Sequence, residues 1–167
     1  MSVSTVVLMV VLGTLLSASA GLRAFLAPFG LACAQGMGWV QLAPELHWLG
    51  SPLAIGTFGL AIVIEVLSDK VPLVHHALDV VHIGVKPVAG ALAGAALVGG
   101  NAPLMTWVLA IMGGGAVAGA AHFTKAGLRV GSTAVSVGTA APAHSLAEDA
   151  VAVVAALAGM AGMALAQ

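Results

Sequence analysis

Charge is what this sequence has least of: Asp, Glu, Lys and Arg together make up 7% of it, against roughly a quarter in a soluble domain. The shortage excludes a wetted globule. A soluble fold of 167 residues would still present most of its side chains to water, and its Ala, Val, Leu and Gly would form large apolar patches. Five scattered basic residues against six acidic ones leave no basic face, so nucleic acid is not expected as a partner. The single cysteine, Cys33, excludes an internal disulfide and a Cys-based zinc site, and reads as a small buried hydrophobe. No nucleophile–base pair, Gly-rich phosphate loop or metalloprotease helix is present. Enzymatic activity is therefore not expected, and no cofactor is implied.

What the sequence does have is hydrophobicity, 60% of its residues, arranged in long runs. With hydrocarbon as the solvent the surface problem disappears, so the expected fold is all-α: a polytopic transmembrane helical bundle forming one membrane domain over residues 1–167. A crossing needs about 20 mainly apolar residues, fewer where the bilayer thins. Five stretches qualify or nearly do: 3–21, 52–67, 87–98, 104–123 and 146–165. The first ends in Ala18-Ser19-Ala20, like a signal-peptide cleavage site, but no Lys or Arg precedes it, so it is expected to remain as a helix.

Three segments fit less simply. Residues 22–34 carry Arg23 at the start and Pro28 inside, which predicts a short broken or re-entrant helix. Residues 127–141, rich in Gly, Ser, Thr and Ala, predict a second one. Between them, 72–85 places His75, Asp79 and His82 on one helix face, which reads as an interfacial helix on the membrane surface. Under five spans, Lys70, Lys86, Lys125 and Arg129 fall on one side and Arg23 on the other, beside the loop holding Trp39, Glu45 and Trp48. The positive-inside rule then puts the N-terminus in the cytoplasm and the C-terminus outside.

The tetrapeptide Ala20-Gly21-Leu22-Arg23 recurs as Ala126-Gly127-Leu128-Arg129, each copy closing an apolar run and preceding a small-residue stretch. This predicts an inverted internal repeat, with copies over about 1–70 and 101–167 around a linker and middle helix at 71–100. Inverted repeats with interrupted helices recur in transporters, because broken helices leave backbone groups and dipole ends to face a polar solute. Duplicated hairpins also build structural membrane proteins, so the architecture alone is an analogy.

Several of these residues, taken in order, carry a resemblance. Gly21 to Leu26, Glu65 with Asp69-Lys70-Val71-Pro72, Asp79, Lys86-Pro87 with Ala89-Gly90-Ala91, Lys125 to Arg129, and Ser145 to Asp149 resemble the bacterial membrane family catalogued as domain of unknown function 4126. The resemblance covers nearly the whole chain and implies the bacterial inner membrane. It brings no activity, substrate or site residue with it.

Chemistry is expected where charge meets hydrocarbon. Glu65 lies inside the second span and Glu148-Asp149 at the mouth of the last, with Arg23 and Arg129 as their cationic partners. Such pairs either line a polar path for an ion or small solute or clamp the repeats together. Ser132, Thr133 and Ser136 either line that path or satisfy the backbone of an interrupted helix. His75, Asp79 and His82 could share a metal, though a surface helix needs a polar side anyway. His122 and His144 look isolated. Small residues four apart, Gly90/Gly94, Gly115/Gly119 and Ser17/Gly21, predict close helix contacts within one chain or between copies. So small a bundle has few helices with which to enclose a pathway alone, so a homo-oligomer is expected. Two functions follow: a small channel or transporter, or a non-catalytic subunit packed against lipids or a larger membrane complex.

Overall fold

The computed structural model describes residues 3–68, 72–98, 102–136 and 141–166, and within them omits the side chains of 3, 5, 6, 72–79, 129, 130, 132–136, 141–145 and 166. Among the described residues six α-helices carry the fold: α1 (Val3–Leu22), α2 (Leu26–Gly36), α3 (Pro52–Ser68), α4 (Pro72–Ala95), α5 (Leu104–Ser136) and α6 (Ala141–Ala166). A 3-10 helix, Pro44–Gly50, leads into α3. No strand occurs among the described residues.

Local chemistry sets several of these boundaries. Pro44, Pro52 and Pro72 each occupy a first helical position, where the missing N–H is not needed. Ser51 caps α3 by accepting the Ala54 N–H at 3.2 Å. α1 ends at Arg23-Ala24-Phe25, and Pro28 sits in the first turn of α2, where proline is tolerated, so the chain restarts as a separate helix instead of kinking. After α2, Gly38 takes φ +73°, a left-handed conformation that side chains rarely adopt.

Helix directions follow from a few contacts. Ser19 Oγ donates to the Ala152 carbonyl at 2.9 Å, while Gly159 and Gly162 lie against Leu16 and Leu12, so α1 and α6 are antiparallel. Ser17 Oγ donates to the Gly90 carbonyl at 3.1 Å and Gly13 meets Leu97, so α4 is also antiparallel to α1. α5 runs beside α1 in the same direction, with Ser17 near Gly114 and Gly21 against Ala118. Gly30 meets Met160, Phe29 meets Gly59 and Gly36 meets Ile55; α2 therefore doubles back along α6, and α3 returns beside it. Successive helices thus alternate in direction, and the first half of α1 lies at the same end of the bundle as the last half of α6.

Close approach is concentrated between α4 and α5. A Cβ on Gly90 would strike Ala118 and the Gly114 carbonyl, and one on Gly94 would strike the Ala110 carbonyl. In lipid, where burial from water does not drive helices together, such backbone contact and van der Waals packing do. Gly115 meets the Pro87 carbonyl more loosely, at 3.2 Å, and Gly119 has nothing within 4 Å. The small-residue pairs Gly90/Gly94 and Ser17/Gly21 therefore pack within one chain.

By length and composition, two helical stretches among the described residues can cross a membrane, Leu104–Leu128 and Leu146–Leu165, or three if the 3-10 helix and α3, bent by 63°, form one span. Val7–Leu22 and Val80–Ala95 are shorter apolar helices. Their outer faces are bare hydrophobics: Leu104, Met112 and Leu146 are 79%, 68% and 71% exposed. This is an all-helical membrane fold.

Three sequence expectations need correction. The expected interfacial helix at 72–85 and the span at 87–98 are one continuous helix, α4, which passes through Pro87. The second broken segment is helical to Ser136, with 137–140 outside the described residues. The two tetrapeptide copies also differ in setting. Ala20 and Gly21 are buried at a chain reversal, whereas Ala126, Gly127 and Leu128 are exposed on an uninterrupted helix.

Candidate functional site

At the first chain reversal, ionisable side chains partner backbone groups that the helices leave open. Leu22, the last residue of α1, has its carbonyl met by Lys125 Nζ at 3.2 Å. The Ala24 N–H, between α1 and α2, donates to Glu65 Oε1 at 3.0 Å. Helix ends in a low-dielectric setting require such partners, and a cation suits a C-terminal carbonyl.

From these two contacts a closed ring of polar side chains can be traced through five parts of the chain. Arg23, at the reversal, pairs with Asp149 on α6, its Nε donating to Oδ1 at 2.5 Å. Glu148, the preceding residue on α6, pairs with Lys125 of α5 at 3.1 Å. His122 lies three residues earlier on α5, and its Nδ1 is 3.1 Å from Lys86 Nζ on α4. With Lys86 as ammonium, Nδ1 is the acceptor and that imidazole is neutral. His82 lies one turn before Lys86, with Nε2 3.8 Å from Glu65 Oε1 on α3. Glu65 then returns the ring to Ala24, next to Arg23.

Three cations (Arg23, Lys86, Lys125) face three carboxylates (Glu65, Glu148, Asp149), so with both imidazoles neutral the formal charges cancel. Burial is uneven. Glu65 and Lys86 are each 3% exposed, whereas the Asp149 side chain is 35% exposed and its ion pair is partly screened. One atom stands out: Glu65 Oε2 is buried with no hydrogen-bond partner among the described residues.

Four of the five residues expected to form buried ion pairs, Arg23, Glu65, Glu148 and Asp149, meet here. Arg129 lies within α5, but its side chain is outside the described residues, as are those of Ser132, Thr133 and Ser136. His75 and Asp79 also have undescribed side chains, and His82 faces Glu65; no group of three His, Cys, Asp or Glu suited to a metal occurs among the described residues. Arg23 sits at the same end as Lys86 and Lys125, which corrects its expected separation from them across the membrane. Sequence reasoning missed Lys86, His122 and Lys125 as members of the site. Their signal was spacing: His82/Lys86 and His122/Lys125 are i,i+4 and i,i+3 pairs, each on one face of an apolar helix.

Two apolar cavities lie beside the ring without reaching it. One, of about 540 Å³, opens between α1, α4 and α5 near Thr14, Gly94 and Gly113. The other, of about 490 Å³, is walled by Phe25, Trp48, Phe58 and Trp107. Neither is lined by a charged side chain.

Fold and site together define a small polytopic helical membrane protein with an internal ionic network at one end of its bundle. A family model described as a domain of unknown function (DUF4126) matches residues 10–165, and the chain belongs to that family. No curated protein and no solved structure matches it.

Proposed function

We propose that this protein is a small channel or transporter for an ion or small polar solute in the bacterial inner membrane, with the ionic network as its closed gate. The observation carrying this reading is the gathering of Arg23, Glu65, His82, Lys86, Lys125, Glu148 and Asp149 in one network of an otherwise apolar bundle. Stability alone does not call for such a cluster, because well-packed hydrophobic residues of similar volume often serve as well as buried ion pairs. Ionisable groups at membrane depth typically mark an ion or solute path, paired until something displaces them.

The positions of Arg23, Lys86 and Lys125 favour a cytoplasmic network end. With helices alternating in direction, both the start of α1 and the end of α6 then lie outside. This reverses the N-terminal orientation expected from five spans, and a cysteine introduced near the N-terminus should react with a membrane-impermeant thiol reagent added outside intact cells.

Reconstituted in liposomes, the wild-type protein should pass a solute from a panel of inorganic ions and small polar molecules. The R23Q and K125Q variants should change that flux while keeping helix content and monodispersity. Wild-type liposomes as tight as empty ones across the panel would remove the transport reading. They would favour the alternative of a structural subunit, in which the same ring is a static clamp; co-purification of other chains in fixed ratio would then be the sign to seek.

A further inference from the structure

Glu65 is the least satisfied member of the network. Its Oε1 accepts the Ala24 N–H and faces His82, and the Phe25 N–H also acts on the carboxylate, but Oε2 has no hydrogen-bond partner among the described residues, and the residue is 3% exposed. Leaving a buried acceptor unpaired costs roughly 1–3 kcal/mol, more when it is charged. An unpaired buried group of this kind calls for a ligand or a functional explanation.

A metal cation does not suit the position. Hard cations need several oxygen ligands, whereas Glu65 has one uncommitted oxygen and lies within the electrostatic reach of Arg23 and Lys86. A proton needs only that oxygen. We infer that Glu65 is a proton-binding site, in which Oε2 takes up one proton and His82, opposite Oε1, sets how readily it does so.

The step is simple in its balance. One proton leaves water, one O–H bond forms on Oε2, and the carboxylate becomes a neutral acid; no other bond changes. The charged and titratable groups around it come from every packed element: Arg23 at the reversal, His82 and Lys86 on α4, His122 and Lys125 on α5, and Glu148 and Asp149 on α6. With the imidazoles neutral, protonation takes the six formally charged groups from a net charge of zero to one positive charge. A neutral acid is also a weaker acceptor than a carboxylate, so the Ala24 N–H is held less firmly when the proton is bound. That peptide joins α1 to α2, which makes this chain reversal the element that senses proton occupancy. On the transport reading above, the proton is therefore the coupling ion.

Infrared difference spectroscopy on the reconstituted protein, titrated from about pH 9 to about pH 4 so as to bracket carboxyl and imidazole titration, tests this without any transport assay. A protonated-carboxyl C=O band should grow in on acidification. It should vanish in E65Q, whose amide oxygen still accepts the Ala24 N–H, and persist in D149N. The H82Q variant should keep the band and shift its midpoint. A spectrum unchanged by E65Q in folded protein would overturn the inference, as would an H82Q midpoint identical to wild type for the role of His82. The proton site and the transport reading fail separately: a Glu65-dependent band in protein that carries no solute upholds the site alone, and solute flux without the band upholds transport alone.

Discussion

The two ends of the α4–α5 pair hold together by different means. Towards the start of α5, Gly94 lies against the Ala110 carbonyl and Gly90 against Gly114, so the backbones touch and dispersion does the joining. At the network end, Lys86 and His122 reach across at 3.1 Å, and charge takes over from contact. The glycine end is tolerant in chemistry but intolerant in volume; the ionic end is the reverse. A bundle built this way can loosen at one end, by a change of charge, while staying closed at the other.

Substitutions should separate these two modes. The largest effect is expected for Glu65→Ala, which strips the buried Ala24 N–H and His82 of their shared partner; removing one member of a buried pair costs about 3–5 kcal/mol. Thermal unfolding in detergent should show it, with Glu65→Gln retaining much of the lost stability. Gly90→Leu should come next: overpacking where no Cβ fits costs about 1–3 kcal/mol, and it should splay α4 from α5. A pair of spin labels on exposed positions of the two helices would report the wider spacing. Asp149→Asn should do less, within about 1 kcal/mol, because that carboxylate is partly screened by solvent. Smallest of all, Gly119→Ala should be neutral or stabilising by up to about 1 kcal/mol, since the position is open and alanine favours the helix. If Gly119→Ala matched Gly90→Leu in effect, the division of the helix pair into tight and open glycines would fail.

Much of this was legible from composition and spacing. Arg23 and Pro28 mark the chain reversal, and the rule that intramembrane charges find partners brought Arg23, Glu65, Glu148 and Asp149 together before any geometry. What escaped has a common cause. Periodicity identifies the polar face of a helix but not what that face meets. The His75–Asp79–His82 stripe therefore read as a wet membrane-surface face, while His82 in fact turns inward towards Glu65. Lys86 read only as the charge before a span, yet it is buried against His122. The Gly-, Ser- and Thr-rich run after Lys125 suggested a break because these residues are weak helix formers, but propensity is a weak prior that context overrides, and α5 runs on to Ser136. The relative placement of the cations was misjudged because the short α2 was not counted as a reversal of direction: with α2 running back along the bundle, Arg23 lies at the same end as Lys86 and Lys125.

The ionic ring as a physically coupled unit is tested most directly by a double-mutant cycle on Lys125 and Glu148, whose side chains are 9% and 15% exposed. Unfolding free energies of K125Q, E148Q and the double variant should reveal a favourable coupling of about 0.5–3 kcal/mol, the double variant being less destabilised than the sum of the singles. Strict additivity, with no coupling beyond measurement error, would contradict a ring whose members hold one another in place.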